Sequence, residues 1–309
     1  MRKKASGRIL AGAALILICL VSARGAYADS YTYTAINPPG STSSEPLGIN
    51  DSGEIVGFNR TTGRGYLDNG GVYTTILPPG AFFGQANGIN DSGEIVGQSS
   101  NGTPLGFLDN GGTFTTILAG ATYTSADGIN DSGEIVGYYF NGVTLQGFLD
   151  NGGTFTTINP PGTSTSFVFG INDSGEIVGE NLTTNQGFLD NGGVFTPILP
   201  PGATFSSADG INDSGEIVGS YVSGGMVYGF LDNGGVYTTI LPPGATGCVA
   251  SGINDNGDIV GHCAADELGD HIGFLATPVA TPEPSGLLLL GTGLLALGTL
   301  AFRRKQQIV

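Results

Sequence analysis

Carboxylates dominate the residues of this chain that are able to do chemistry, and they recur at fixed intervals. Asp51, Asp91, Asp131, Asp173, Asp213 and Asp255 are followed three positions later by Glu54, Glu94, Glu134, Glu176, Glu216 and Asp258. Oxygen ligands suit a hard cation, so calcium is the functional reading. The spacing fits neither the EF-hand nor the nonapeptide calcium pattern. Each pair also sits in a turn sequence of the type Asn-Asp-Ser-Gly-Glu, where Asn, Asp and Gly are wanted for backbone reasons. Like charges about 10 Å apart in water repel by only about 0.4 kcal/mol, and salt reduces that further, so no ion is required. Turn chemistry is the favoured account, and calcium stays open as the alternative.

Other reactive residues are few. His262 and His271, with Asp266, Glu267 and Asp270 between them, are the one grouping with transition-metal ligand types, and a solvated loop is the plainer reading. The chain has no HExxH or GxSxG run, and its glycines occupy turns rather than a phosphate-cradling loop. No catalytic residue, metal ligand or cofactor is therefore assigned. Cys248 and Cys263 flank the turn Asn254 to Gly257 at equal distances, so an even hairpin places their sulfurs opposite each other. A disulfide is expected there, worth about 3 kcal/mol for a loop of about 15 residues and less in a preformed hairpin.

The elements that position these groups come from a repeat. A run resembling GINDSGEIVG begins at Gly48, Gly88, Gly128, Gly170, Gly210 and Gly252, a period of 40 to 42 residues. Such modules cannot bury their apolar faces alone. Residues 121–162 contain four short apolar runs bounded by Gly, Asn, Asp or Pro, and none is long or periodic enough for a helix. The links NDSG and DNGG are hairpin turns, so each unit is predicted to be a four-stranded antiparallel sheet. Apolar neighbours such as Ile135 beside Val136 leave both faces apolar, as in a sheet held between two others.

The ends of the repeat decide its closure. Tyr33 to Gly40 matches Tyr73 to Gly80 at an offset of 40, a fourth strand lacking its first three, while Gly252 to Leu275 supplies three strands lacking a fourth. The predicted fold is all-β: a six-bladed β-propeller over residues 29–277, closed by the N-terminal strand. A β-solenoid is the alternative, but its bare edges would need polar caps. In the propeller, near-identical turns occupy one face and variable loops the other. Binding sites favour loops on a rigid scaffold, so aromatic residues of the variable face are candidates for stacking on sugar rings. They are Phe82, Phe83, Tyr123, Tyr139, Phe140, Tyr221 and Tyr228, with Tyr138, Phe167 and Phe169 close by. Packing between blades is their plainer role.

Residues 1–28 combine a basic start, an apolar run and the ending Ala26-Tyr27-Ala28, which reads as a signal peptide that removes Cys19. The body from Asp29 to Thr281 holds 25 acidic residues against two basic ones, Arg60 and Arg64, a net charge of −23. That field excludes nucleic acid and anionic lipid surfaces as partners. At the other end, residues 278–285 form a linker with Pro282-Glu283-Pro284, residues 286–302 are an apolar span of about 26 Å, and 303–309 hold Arg303, Arg304 and Lys305. This order resembles the PEP-CTERM sorting signal of Gram-negative bacteria. The resemblance implies transient anchoring in the inner membrane, recognition by an exosortase and release toward the surface or an exopolysaccharide matrix.

The repeat in turn resembles the secreted bacterial HAF-repeat proteins in its GIND run, with Gly-Phe-Leu, as at Gly147-Phe148-Leu149, where that family has His-Ala-Phe-Leu. The His is missing throughout. The likeness implies fold and secretion, and no activity. The function expected is a non-enzymatic structural or glycan-binding component of the matrix. The alternative is a carbohydrate-active hydrolase or lyase with paired carboxylates.

Overall fold

A computed structural model describes residues 31–264 and 270–279 of the chain. The expected signal peptide, the Pro282-Glu283-Pro284 motif, the apolar span, the basic tail, and Asp266 and Glu267 lie outside the described residues. Those described form 24 strands and no helix. They begin with β1 (Tyr31–Ile36). Blade one is β2 (Ser44–Ile49), β3 (Ile55–Asn59), β4 (Arg64–Asn69) and β5 (Val72–Ile76). Blade two is β6 (Phe83–Ile89), β7 (Ile95–Ser100), β8 (Pro104–Asn110) and β9 (Thr113–Ile117); blade three is β10 (Tyr123–Ile129), β11 (Ile135–Phe140), β12 (Leu145–Asn151) and β13 (Thr154–Ile158). Blade four is β14 (Ser166–Ile171), β15 (Ile177–Asn181), β16 (Gln186–Asn191) and β17 (Val194–Ile198); blade five is β18 (Phe205–Ile211), β19 (Ile217–Ser223), β20 (Met226–Asn233) and β21 (Val236–Ile240). Blade six is β22 (Cys248–Ile253), β23 (Ile259–Ala264) and β24 (His271–Pro278), completed by β1.

The protein is thus an all-β propeller of six four-stranded antiparallel blades. β1 pairs with β24 from Tyr31 opposite Pro278 to Ile36 opposite Gly273, so the two incomplete ends of the repeat make one blade. Tyr33 packs edge-on against Phe274 with centroids 5.9 Å apart.

The turns follow from their residues. In DNGG, Gly70 and Gly71 take φ of +60° and +90°, a succession of left-handed residues that a Cβ would strain, and Asp68 Oδ1 accepts the Gly71 N–H at 2.7 Å. In NDSG, Asn50 Oδ1 accepts the Glu54 N–H at 2.9 Å. The core lies between blades. Val56 of blade one is buried with Ile89, Ile95 and Phe107 of blade two, and the same grouping recurs around the ring. Each buried Ile or Phe is worth about 1.5–3 kcal/mol, and a blade by itself would expose most of them.

Two rings of hydrogen bonds run around the axis on the face of the constant turns. The Asn50 side-chain amide donates to the Asn90 carbonyl, Asn90 to Asn130, Asn130 to Asn172, Asn172 to Asn212, Asn212 to Asn254, and Asn254 back to Asn50. In the second ring the N–H of Asp51 donates to Asp91 Oδ1 at 2.8 Å, and the pattern repeats until Asp255 N–H meets Asp51 Oδ1. One oxygen of each turn aspartate is therefore engaged by a neighbouring blade.

Candidate functional site

Symmetry breaks at one position of the innermost strand. Between the repeating sequences that flank it stand Leu47, Asn87, Asp127, Phe169, Asp209 and Ser251, each just before the glycine of GIND. In all six blades the pairing of inner and second strands slips at this residue, as between Ala126 and Gly128 or Ala208 and Gly210. The extra residue of a β-bulge is left unpaired and its side chain is re-aimed. Here six bulges turn one side chain from each blade toward the axis, of five different kinds.

The glycines that follow allow the inner strands to meet. A Cβ on Gly128 would lie 2.7 Å from the Phe169 carbonyl oxygen, and one on Gly252 would lie 2.8 Å from that of Leu47. Glycine is required by this close approach. The axial passage narrows at the glycine ring and opens on the variable face into a cavity of about 280 Å³. Leu47, Gln85, Asn87, Asp127, Tyr138, Phe169, Asp209, Val249, Ser251 and His262 line it. A smaller recess of about 90 Å³ lies on the other side, at the ring of turn aspartates.

The cavity lining is more apolar than polar, and its polar atoms are incompletely satisfied. Asn87 Nδ2 donates to the Ala126 carbonyl at 2.9 Å and to Asp127 Oδ1 at 2.8 Å, which directs its own Oδ1 away from them. Asp127 Oδ1 also accepts from Ser125 Oγ at 2.9 Å. Asn87 Oδ1, Asp127 Oδ2 and His262 Nδ1 are enclosed and have no protein partner. Such atoms cost free energy unless a ligand or water meets them. Asp209 Oδ1 accepts from Ser207 Oγ at 2.5 Å.

Burial sets the acidities. The Asp127 carboxyl is pushed up to about 7, its hydrogen bonds from Ser125 and Asn87 only partly opposing the loss of water. Asp209 also rises to about 7 through burial, with the Glu180 charge adding to it, and burial takes Glu180 to about 7. The Tyr138 hydroxyl is raised by burial and then by Asp127. His262 falls to about 4, chiefly because burial disfavours its charged form, and is neutral at pH 7.

At the seam between blades six and one, His262 stacks on His271 at 4.5 Å with 15° between the rings. Glu45 Oε1 accepts from Arg60 at 2.7 Å and meets His271 Nδ1 at 2.5 Å. Glu45, His262 and His271 are the group among the described residues whose ligand atoms lie within 4.8 Å of one another. Imidazole lone pairs lie in the ring plane, so nearly parallel stacked rings direct them side by side, and Arg60 already neutralises Glu45. The Arg60–Glu45 ion pair lies within blade one, and the Glu45–His271 contact joins that blade to blade six across the seam.

None of the seven aromatic candidates lines the cavity, whereas their neighbours Tyr138 and Phe169 do. Tyr138 packs on Phe167 at 4.4 Å and stands beside Tyr123, the two hydroxyls 3.3 Å apart. Phe83 packs on Phe58, and Tyr139 on Phe148 while bonding Gln146. Tyr221 packs on Tyr228 and Phe230, Phe140 is half-buried at the end of β11, and Phe82 is exposed on the rim. Cys248 and Cys263 stand opposite each other in β22 and β23 and are bonded. Apart from Phe169, the bulge residues escaped the sequence reading, although a single varying letter before an invariant glycine marks each of them.

Comparison with known proteins is informative at two levels. Residues 280–305 match the PEP-CTERM protein-sorting motif, a C-terminal membrane-anchored export signal that implies processing by an exosortase. No curated protein matches the chain. Among solved structures, a protein of unknown function from Bacteroides thetaiotaomicron aligns with a TM-score of 0.51 and 12% identity, covering 79% of this chain and 72% of its own. A catalytically inactive virginiamycin B lyase from Staphylococcus aureus, with quinupristin, aligns at 0.50 and 15%, covering 81% and 100%. A gluconolactonase-family protein aligns at 0.50 and 11%, covering 81% and 92%. At such identities the likeness speaks for the propeller alone.

Proposed function

We propose that this exported propeller is a non-enzymatic glycan-binding component of the exopolysaccharide matrix, and that it holds sugar in the axial cavity of its variable face. The observation carrying this reading is the set of unpartnered polar atoms, Asn87 Oδ1, Asp127 Oδ2 and His262 Nδ1, around a cavity walled by Tyr138 and Phe169. A few fixed polar groups beside aromatic walls are what orient a small polar ligand, and about 280 Å³ is at the small end for such sites. The sorting motif supports this destination, reached through an exosortase after a transient stay in the inner membrane. The likeness of the repeat to secreted HAF-repeat proteins agrees with it. Calcium is not needed for this role.

A second reading rests on Asp127 and Asp209. Carboxyls poised near pH 7 suit general acid–base work, so a glycan hydrolase or lyase would use this same pair. Incubating the purified protein with exopolysaccharide from its producing cells separates the two. Retention of polymer without new reducing ends or unsaturated products is expected, and is lost in Asn87→Leu. Product formation abolished by Asp127→Asn would instead establish an enzyme.

A further inference from the structure

Two of the three atoms left open in the axial cavity, those of Asn87 and Asp127, share a character. Asn87 is only 9% exposed, and its unpartnered Oδ1 is an acceptor, because its Nδ2 is committed to acceptors that cannot donate in return. Asp127 Oδ2 is likewise an acceptor, and Asp209 adds a second carboxyl from two blades further round the ring. The walls between and beside them are Tyr138 and Phe169, whose ring faces attract a cation. Among the described residues, no lysine or arginine answers these acids. Arg60 is held by Glu45, and neither Arg60 nor Arg64 lines the cavity.

We infer that the cavity selects a protonated amine, the ammonium group of an amino sugar or of a free polyamine, which donates to Asp127 and Asn87 and offsets part of the negative charge of Asp127 and Asp209. This rests on the axial cavity being the ligand site and names the chemistry it takes. An ammonium carries three donors and one positive charge, and so meets both deficits together. A bare divalent ion is a poorer match, since it needs several oxygens about 2.3–2.6 Å from one centre and makes no use of aromatic walls. Among the described residues, the group of three such side chains close enough to share an ion is Glu45 with the two histidines.

Proton linkage gives the inference a signature. An arriving cation favours the ionised carboxyls, so binding releases protons near neutrality and weakens as acid protonates the site. The titratable groups facing the ligand are Asp127, Asp209, Tyr138 and His262, with Glu180 near Asp209, and Glu45 and His271 behind His262.

The test is calorimetric titration of the full chain in mild detergent with glucosamine, glucose, N-acetylglucosamine and putrescine, at pH 7.0 and 5.0. Glucosamine is expected to bind at least tenfold tighter than glucose or N-acetylglucosamine at pH 7.0, and at least tenfold weaker at pH 5.0. In the Asp127→Asn/Asp209→Asn variant, checked for fold by circular dichroism, that preference disappears. Glucosamine tighter than putrescine assigns the amine to a sugar, and the reverse assigns it to a polyamine. Equal binding of glucose and glucosamine overturns the amine selectivity and leaves sugar binding in place. Tighter binding of calcium chloride, with displacement of glucosamine, overturns it in favour of a metal. Failure of every sugar and amine to bind removes the glycan-binding reading as well.

Discussion

The side-chain amide of Asn254 donates to the backbone carbonyl of Asn50 at 3.0 Å, joining residues 204 positions apart in sequence. It is the same bond that Asn50, Asn90, Asn130, Asn172 and Asn212 make to the blade that follows each of them. The closing seam is therefore built like the internal ones. Replacing Asn254 with Ala removes this bond and the acceptor for the Asp258 N–H, an expected loss of about 1–2 kcal/mol. Asn130→Ala is expected to cost at least as much, since it removes the same pair of bonds and a third, from Nδ2 to Glu134 Oε2. Thermal unfolding of both variants checks this, and a loss for Asn130 with none for Asn254 would show an open ring.

The disulfide fastens the blade assembled from both ends of the propeller. In the chain-entropy picture a 15-residue loop is worth about 3 kcal/mol, and the turn at Asn254 to Gly257 already restricts that loop before oxidation. The double variant Cys248→Ala/Cys263→Ala is expected to lose about 1–2 kcal/mol, lowering Tm by roughly 2–8 °C for a protein of this size. Reductant should lower the Tm of the parent by a similar amount and leave the variant unmoved.

Acid should stabilise this protein where it weakens most others. Carboxyls ionise near 4 in an unfolded chain, whereas Asp127, Asp209 and Glu180 hold their protons to about 7 in the fold. Between those values the unfolded chain has shed protons that the fold keeps, so stability falls as pH rises to 7 and levels off above it. His262 acts oppositely: its folded value of about 4 lies below the unfolded one near 6.5, so it subtracts stability as pH falls from 6.5 to 4. Three carboxyls outweigh one imidazole, and lowering pH from 8 to 5 should raise Tm. Asp127→Asn should add about 1–2 kcal/mol at pH 8 and almost nothing at pH 4, as read by scanning calorimetry.

Calcium should have little effect on the fold. Each turn aspartate already gives one oxygen to a neighbouring N–H, and Glu54 bonds Asn50 and Asn69. The expected Tm is the same with chelator as with millimolar calcium. A rise of several degrees with calcium, removed by Asp131→Asn, would assign an ion to the aspartate ring.

The sequence carries the closure plainly, because Tyr33 to Gly40 and Gly252 to Leu275 are complementary fragments of one unit and each leaves an edge only the other can cover. The pairing of Cys248 with Cys263 is legible for a similar reason: hairpin register follows from the turn between them. The cavity was harder to see. Leu47, Asn87, Asp127, Phe169, Asp209 and Ser251 face the axis through a bulge, and an alternating in–out count along the strand does not reveal it. Turn chemistry was the favoured reading of the turn aspartates, and calcium stayed open beside it because their partners belong to the next blade. Most of the variable-face aromatics are spent on packing, a choice governed by neighbouring blades rather than by their own repeat.

The most direct measurement is a crystal structure of the protein grown with an oligosaccharide cut from the exopolysaccharide of its producing cells. The account predicts sugar density on the axis of the variable face, in contact with Asn87 and Asp127 and against Tyr138. Sugar bound on the outer rim near Phe82, or at the ring of turn aspartates, with the axial cavity holding only water, would contradict it.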